Sequence, residues 1–130
     1  MKFVTIIART LLGLAFVFFG INGIHPFPFM PMTPPPPDSA AGHFFAAVAT
    51  TGFMKVVFVL QLLGGLSLLL NVLPVLGLTI LCPIIFNILL FHLTIAPANF
   101  GPPIAVAVLA LILVASYWNH YRPILQQPAK

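Results

Sequence analysis

Polar side chains that could bind a ligand are few in this sequence, and most lie inside long apolar stretches. A polar side chain in such a stretch is costly to bury, so it is either part of a binding site or a device for packing helices. Guanidinium and amide groups would hold a small neutral or anionic molecule by hydrogen bonds and, for arginine, by charge. The candidate ligand-binding residues are Arg9, Gln61, Asn71, Asn87 and His92.

The spacing of small and polar residues predicts one stripe on each of three helices. At ~100° per residue, each group of residues falls on a single helix face. The stripes are Arg9, Gly13, Phe16 and Gly20; Gln61, Gly64, Ser67 and Asn71; and Thr79, Pro83, Asn87 and Thr94. We expect the three stripes to face a shared interior, where Gln61 comes level with Asn87. The alternative is ordinary helix packing, in which small residues allow close approach and amides bond across helices.

The composition places these helices in lipid. Apolar residues make up 61% of the 130 residues and charged residues 5%, with a mean hydropathy of +1.15. Average soluble domains carry roughly 25% charged residues, so this chain has too few charges for a soluble surface. The chain is predicted to be one all-α membrane domain, 1–130, that forms a four-transmembrane-helix bundle. Its predicted spans are about 3–24, 54–73, 75–96 and 104–118.

The connections between the predicted spans differ in kind. Residues 25–53 form a long loop that begins with a proline-rich segment, which cannot be helical. Asp38 or Ser39 is expected to cap a short interfacial helix that ends before Gly52. The segment Asn71–Pro74 reads as a tight turn, which would make the second and third spans antiparallel neighbours.

Lysine and arginine positions predict the orientation. Lys2, Arg122 and Lys130 fall on the side of both termini, which is therefore expected to be cytoplasmic, with the 25–53 loop outside. The first apolar stretch is read as a retained helix. A cleaved signal peptide is the alternative, but Arg9 interrupts the apolar run and the run exceeds the usual length.

Several classes of function are excluded or disfavoured. Five basic residues spread along the chain make no nucleic-acid patch, and a single cysteine, Cys82, allows no internal disulfide. No nucleophile–base pair, phosphate-binding loop or dinucleotide-binding glycine pattern is present, so we name no catalytic residue and expect no catalysis by this chain on its own. The absence of a carboxylate in any predicted span argues against a transporter driven by intramembrane Asp or Glu.

Metal and haem sites are also disfavoured. A zinc or copper site would have to use His25, His43, Met30 and Met32, whose spacing is not diagnostic. A haem would need two axial ligands at similar depth, and His25 with His92 is the pair considered for this role. We therefore predict no metal ligands.

Four segments on three predicted helices together resemble the DoxX family of small bacterial four-helix membrane proteins. In the first helix these are Arg9-Thr-Leu-Leu-Gly13 and Phe19-Gly-Ile-Asn22, and in the second Gln61-Leu-Leu-Gly-Gly65. The fourth and most specific is Cys82–Pro97 in the third helix, which is similar to the Pro-x3-Asn-x3-Phe-His-x4-Pro run of one DoxX-like branch. Relatives of that branch commonly carry Glu where this chain has Gln61.

The resemblance implies a bacterial inner-membrane protein, and some relatives are subunits of thiosulfate:quinone oxidoreductase or of other membrane redox complexes. We therefore expect an accessory subunit of a redox or quinone-linked system that binds a small molecule, with a quinone headgroup as the candidate. Its expected partners are the bilayer, a redox subunit and further copies of itself. The alternatives are a small-molecule carrier or channel that acts as an oligomer, and a structural or assembly protein.

Overall fold

A computed structural model gives the fold and describes residues 2–126 and 128. This part of the chain contains only α-helices as regular structure: α1 Lys2–Ile24, α2 Ala40–Thr50, α3 Phe53–Leu69, α4 Pro74–Thr94, α5 Gly101–Ser116 and α6 Trp118–Gln126. The expectation of an all-α chain is therefore confirmed for these residues. α1 and α4 are each long and apolar enough to cross a bilayer. The number of such segments rises to four if each of two bent pairs counts as one, α2 with α3 at 82° and α5 with α6 at 75°.

Local signals in the sequence fix most helix ends. Ser39 caps α2, since its hydroxyl accepts a hydrogen bond from the Gly42 amide at 3.0 Å. Gly52 then adopts a left-handed conformation (φ +77°) and separates α2 from α3. Pro74 opens α4 at its first turn, where a missing N–H costs nothing. The predicted cap and helix break are both observed.

The four longer helices pack in a ring in which α3 touches α1 and α4, and α5 closes the ring by touching the same two helices. The buried core is apolar and comes from all four, with Leu12, Leu68, Leu78 and Leu113 fully enclosed. The turn between α3 and α4 is held by the Ser67 hydroxyl, which donates to the carbonyls of Val72 and Leu73 at 2.6 and 2.9 Å. The predicted antiparallel pairing of these two helices is confirmed.

The ring has two different ends. The turn end carries the start of α1, the α3–α4 turn and the end of α5, where Thr5 Oγ1 lies 2.9 Å from Ser116 Oγ. The loop end carries the proline-rich segment and α2. There the Phe27 ring lies 5.2 Å from that of Phe18 on α1, and the Phe44 ring lies 5.3 Å from that of Phe91 on α4. The loop thus packs on the end of the ring.

α6 was not expected from the sequence. It bends away from α5 at the turn end and is tied to the first turn of α4, because the Tyr121 hydroxyl donates to the Val75 carbonyl at 3.0 Å and lies 3.0 Å from Thr79 Oγ1. Burial raises the pKa of the Tyr121 hydroxyl above its ordinary value. α6 therefore lies across the turn end beside α4.

Candidate functional site

Gln61 is one of two buried polar side chains in the described part of the chain, the other being Asn22; they are 6% and 5% exposed. It shares a face of α3 with Gly64, Gly65 and Leu68, which are also buried. Gly65 meets the backbone of α1 and Gly64 meets Leu81 of α4. Gln61 lies within about 60° of both glycines by helical phase, so it points into the ring of helices.

The Gln61 side chain lacks a partner in this interior. Its Oε1 atom is enclosed and accepts no hydrogen bond from the described residues. A buried polar atom left unpaired costs roughly 1–3 kcal/mol, which is why nearly all such atoms in proteins find a partner. The position therefore has an unused acceptor that an N–H or O–H group could fill.

Arg9 is the second inward polar residue with an unpaired atom. Its Nε is enclosed and donates no hydrogen bond to the described residues, while the side chain as a whole is only half-buried. Helical phase places Arg9 within about 40° of Gly13 and Phe16, both buried. The predicted first stripe is thus observed as an inward face, with Arg9 at its turn end.

The two unpaired atoms belong to different depths of the ring. Gly20 of α1 approaches Leu62 and Phe58 of α3, which places Gln61 level with Gly20. Arg9 precedes Gly20 by eleven residues, or about 16 Å along the helix axis. The structure does not bring Arg9 and Gln61 together around one small headgroup.

The predicted inward stripe of α4 is wrong. Its four residues Thr79, Pro83, Asn87 and Thr94 are all exposed on the outside of the ring. The face of α4 that packs inward consists of Gly77, Leu78, Leu81 and Ile85.

The outward polar side chains of α4 bond to their own helix. Thr79, Asn87 and Thr94 each donate to the carbonyl four residues earlier, at 2.7 to 2.9 Å. His92 is half-buried, and its Nδ1 lies 2.8 Å from the Ile88 carbonyl, again four residues back. Self-bonding of this kind satisfies the polar groups without a neighbouring helix, and so they need not face inward.

The expected meeting of Gln61 and Asn87 is therefore absent. The Asn87 amide donates to Pro83 of its own helix, and the Gln61 acceptor stays unpaired. Asn71 also lies away from the interior. It is exposed in the α3–α4 turn with a φ of 56°, a conformation that asparagine tolerates better than most residues.

Asn22 has a role that the sequence did not reveal. Its Oδ1 accepts a hydrogen bond from the Phe27 amide at 2.8 Å, which ties the first residues of the loop to the end of α1. Its position near the end of the first apolar stretch, followed by the Pro-rich segment, was the available signal for this anchoring role.

Two further features bear on binding. A groove of about 340 Å³ lies on the outside of the ring between α3 and α4, lined by apolar residues such as Leu63, Leu70 and Leu76, and includes neither Gln61 nor Arg9. In residues 2–126 and 128, no three His, Cys, Asp or Glu residues lie close enough together to hold a metal ion.

No protein-family model, curated protein or solved structure matches this chain.

Proposed function

We propose that this chain is a DoxX-like protein of the bacterial inner membrane whose four longer helices all span the bilayer, with both termini in the cytoplasm. Within the bundle it binds a small molecule, and it acts as an accessory subunit of a redox or quinone-linked system. The length and apolar character of α1 and α4 support membrane embedding. The bends at Gly52 and Tyr117 would leave α2 and α6 at the two membrane surfaces.

The observation that carries the binding proposal is the unpaired Oε1 of Gln61. In the low-dielectric interior of a bundle, an amide oxygen without a donor is more costly than in water, and a ligand that supplies the donor recovers that free energy. The other buried amide of the described residues, Asn22, is already bonded to the Phe27 amide. Of these two amides, Gln61 is the one whose oxygen is free to accept a hydrogen bond from a ligand.

The chemistry of the acceptor narrows the ligand class. Oε1 accepts and does not donate, so the ligand must present a hydroxyl or an N–H. An oxidised quinone carries only carbonyl acceptors and would have to use the amide N–H groups of Gln61. A quinol carries hydroxyl donors and fits Oε1 directly. In a quinone-linked system we therefore expect the reduced form to bind more tightly.

The proposal is tested by what co-purifies. Wild-type protein, Gln61→Leu and the control Gln126→Leu, which changes the same amide on the exposed face of α6, are purified in mild detergent. Their extracts are compared by mass spectrometry and visible spectroscopy. We expect one small hydroxyl- or N–H-bearing molecule with wild type and the control, and its loss from Gln61→Leu. Identical extracts from all three would contradict binding at Gln61 and favour a packing role.

A further inference from the structure

The Arg9 side chain lies at the turn end of the ring, where α3 stops. Gly13, one turn further along α1, is in close contact with the backbone of Gly65 and Leu69. Because α1 and α3 run antiparallel, the next turn of α1 toward its start carries Arg9 past Leu69, the last residue of α3. Arg9 thus faces inward at the mouth formed by the end of α3 and the end of α5.

Three carbonyls near the end of α3 are already engaged. The amides of Leu70, Asn71 and Val72 donate to the carbonyls of residues 66, 68 and 67 at 2.8, 3.3 and 3.0 Å. The Ser67 hydroxyl donates to the carbonyls of Val72 and Leu73. These bonds reduce the number of free acceptors near this helix C-terminus, and the Nε of Arg9 has no acceptor there.

The described residues place no acidic side chain at the turn end that could neutralise Arg9. Asp38 is the single acidic residue of the whole sequence. It is exposed next to Ser39, the cap of α2, at the loop end of the ring. Lys2 and Arg122 lie exposed at the turn end and add positive charge there. No acidic side chain supplies an acceptor for this half-buried guanidinium, and a bound anion would satisfy it.

We propose that the Arg9 guanidinium binds a phosphate group at the turn end of the ring. A phosphate offers the several acceptor oxygens that the planar fork of arginine bonds in pairs, and its charge balances the cationic end of the molecule. Arg9 is about 10 Å from the start of α1 and level with the α3–α4 turn, and a long arginine side chain can extend from such a position toward the phosphates at a membrane surface. The phosphate belongs either to a membrane lipid or to a soluble molecule. This site is independent of the ligand proposed at Gln61.

The test measures the thermal stability of detergent-solubilised, delipidated protein with three probes: phosphatidylglycerol, phosphatidylcholine at the same mole fraction, and inorganic phosphate. The variants are Arg9→Gln, Arg9→Lys and the control Arg122→Gln, which removes an exposed arginine from the same end. We expect phosphatidylglycerol to raise the melting temperature of wild type and Arg122→Gln. Arg9→Gln should bind about tenfold more weakly, the loss of one charged hydrogen bond, and Arg9→Lys should fall between.

The probes separate the two sources. A shift with phosphatidylglycerol alone assigns the phosphate to an anionic lipid, and a shift with both lipids assigns it to the phosphodiester that they share. A shift with inorganic phosphate alone assigns it to a soluble ligand. Equal responses of wild type, Arg9→Gln and Arg9→Lys to every probe would overturn the proposal. If Arg9→Gln does not fold, native mass spectrometry of wild type against Arg9→Lys gives the decision: equal retention of bound phosphatidylglycerol contradicts a bidentate arginine site.

Discussion

Two buried amides of similar chemistry are in opposite states in this molecule. Asn22 is bonded to the Phe27 amide at 2.8 Å, whereas Gln61 has an enclosed oxygen without a donor. Both are about equally buried, so burial alone does not separate a structural amide from one available to a ligand. What separates them is whether a backbone N–H comes within reach.

This difference predicts opposite effects of the same substitution. In delipidated, ligand-free protein, Asn22→Leu should lower the free energy of unfolding by about 1–3 kcal/mol, because it leaves the Phe27 N–H unpaired. Gln61→Leu should be neutral or stabilising, because it removes a buried amide oxygen that has no partner, so no other group is left unpaired. The measurement is thermal or denaturant unfolding in detergent. A loss for Gln61→Leu as large as for Asn22→Leu would show that Gln61 has a structural partner.

At the scale of elements, α1 and α3 approach through glycine. A Cβ on Gly65 would lie 2.8 Å from the Val17 nitrogen and 3.0 Å from the Gly13 oxygen, both backbone atoms that cannot move aside as a flexible side chain would. Small residues at helix contacts are what allows helices in lipid to gain contact area, since lipid supplies no hydrophobic driving force between them.

We expect Gly65→Ala to destabilise the protein by about 1–3 kcal/mol, because α1 and α3 must separate to admit the methyl group. Gly101→Ala is the matched control: a Cβ there meets nothing within 4 Å. The measurement is the difference in free energy of unfolding between the two variants in the same detergent. Both replace glycine by alanine in a helix, so much of the gain in helix propensity cancels in this difference. Equal stability of the two would mean that the α1–α3 contact is looser than described.

The sequence predicted the helices better than it predicted their faces. Helix ends were readable because Ser39, Gly52 and Pro74 each have one strong local preference. The inward face of α4 was not readable from periodicity. Threonine and asparagine that bond to the carbonyl four residues back are tolerated on an outward face, so a polar stripe does not by itself indicate the interior.

Of the candidate binding residues, Arg9 and Gln61 lie inward with unpaired atoms, and Asn71 and Asn87 lie on the surface. The first two were predictable because the glycines that share their faces must lie at helix contacts. α6 was missed because Pro123 interrupts a segment of nine residues, and its tie to Val75 depends on a contact 46 residues away in sequence.

For the molecule as a whole, the two ends of the ring offer exposed positions at which the proposed membrane orientation can be tested. Thr33 is exposed in the proline-rich loop, and Asn119 is exposed on α6 at the other end. Ser39 is a poor reporter position because its hydroxyl caps α2. In a Cys82→Ser background, Thr33→Cys should react with an impermeant maleimide in intact cells, and Asn119→Cys only after permeabilisation. If instead Asn119→Cys reacted in intact cells and Thr33→Cys only after permeabilisation, the proposed orientation would be wrong, and Arg9 would lie toward the outer surface.

The bonds that α4 makes to itself have a consequence for its biogenesis. Thr79, Asn87 and Thr94 use carbonyls that lie in reach only when the nascent segment is already coiled into a helix. In an extended chain leaving the ribosome, the same hydroxyl and amide groups would enter lipid without partners. In the topology proposed above, the partition of this segment from the translocation channel into the bilayer is therefore coupled to helix formation. Substitutions that delay coiling of α4 should impair insertion even where they leave its composition as apolar as before.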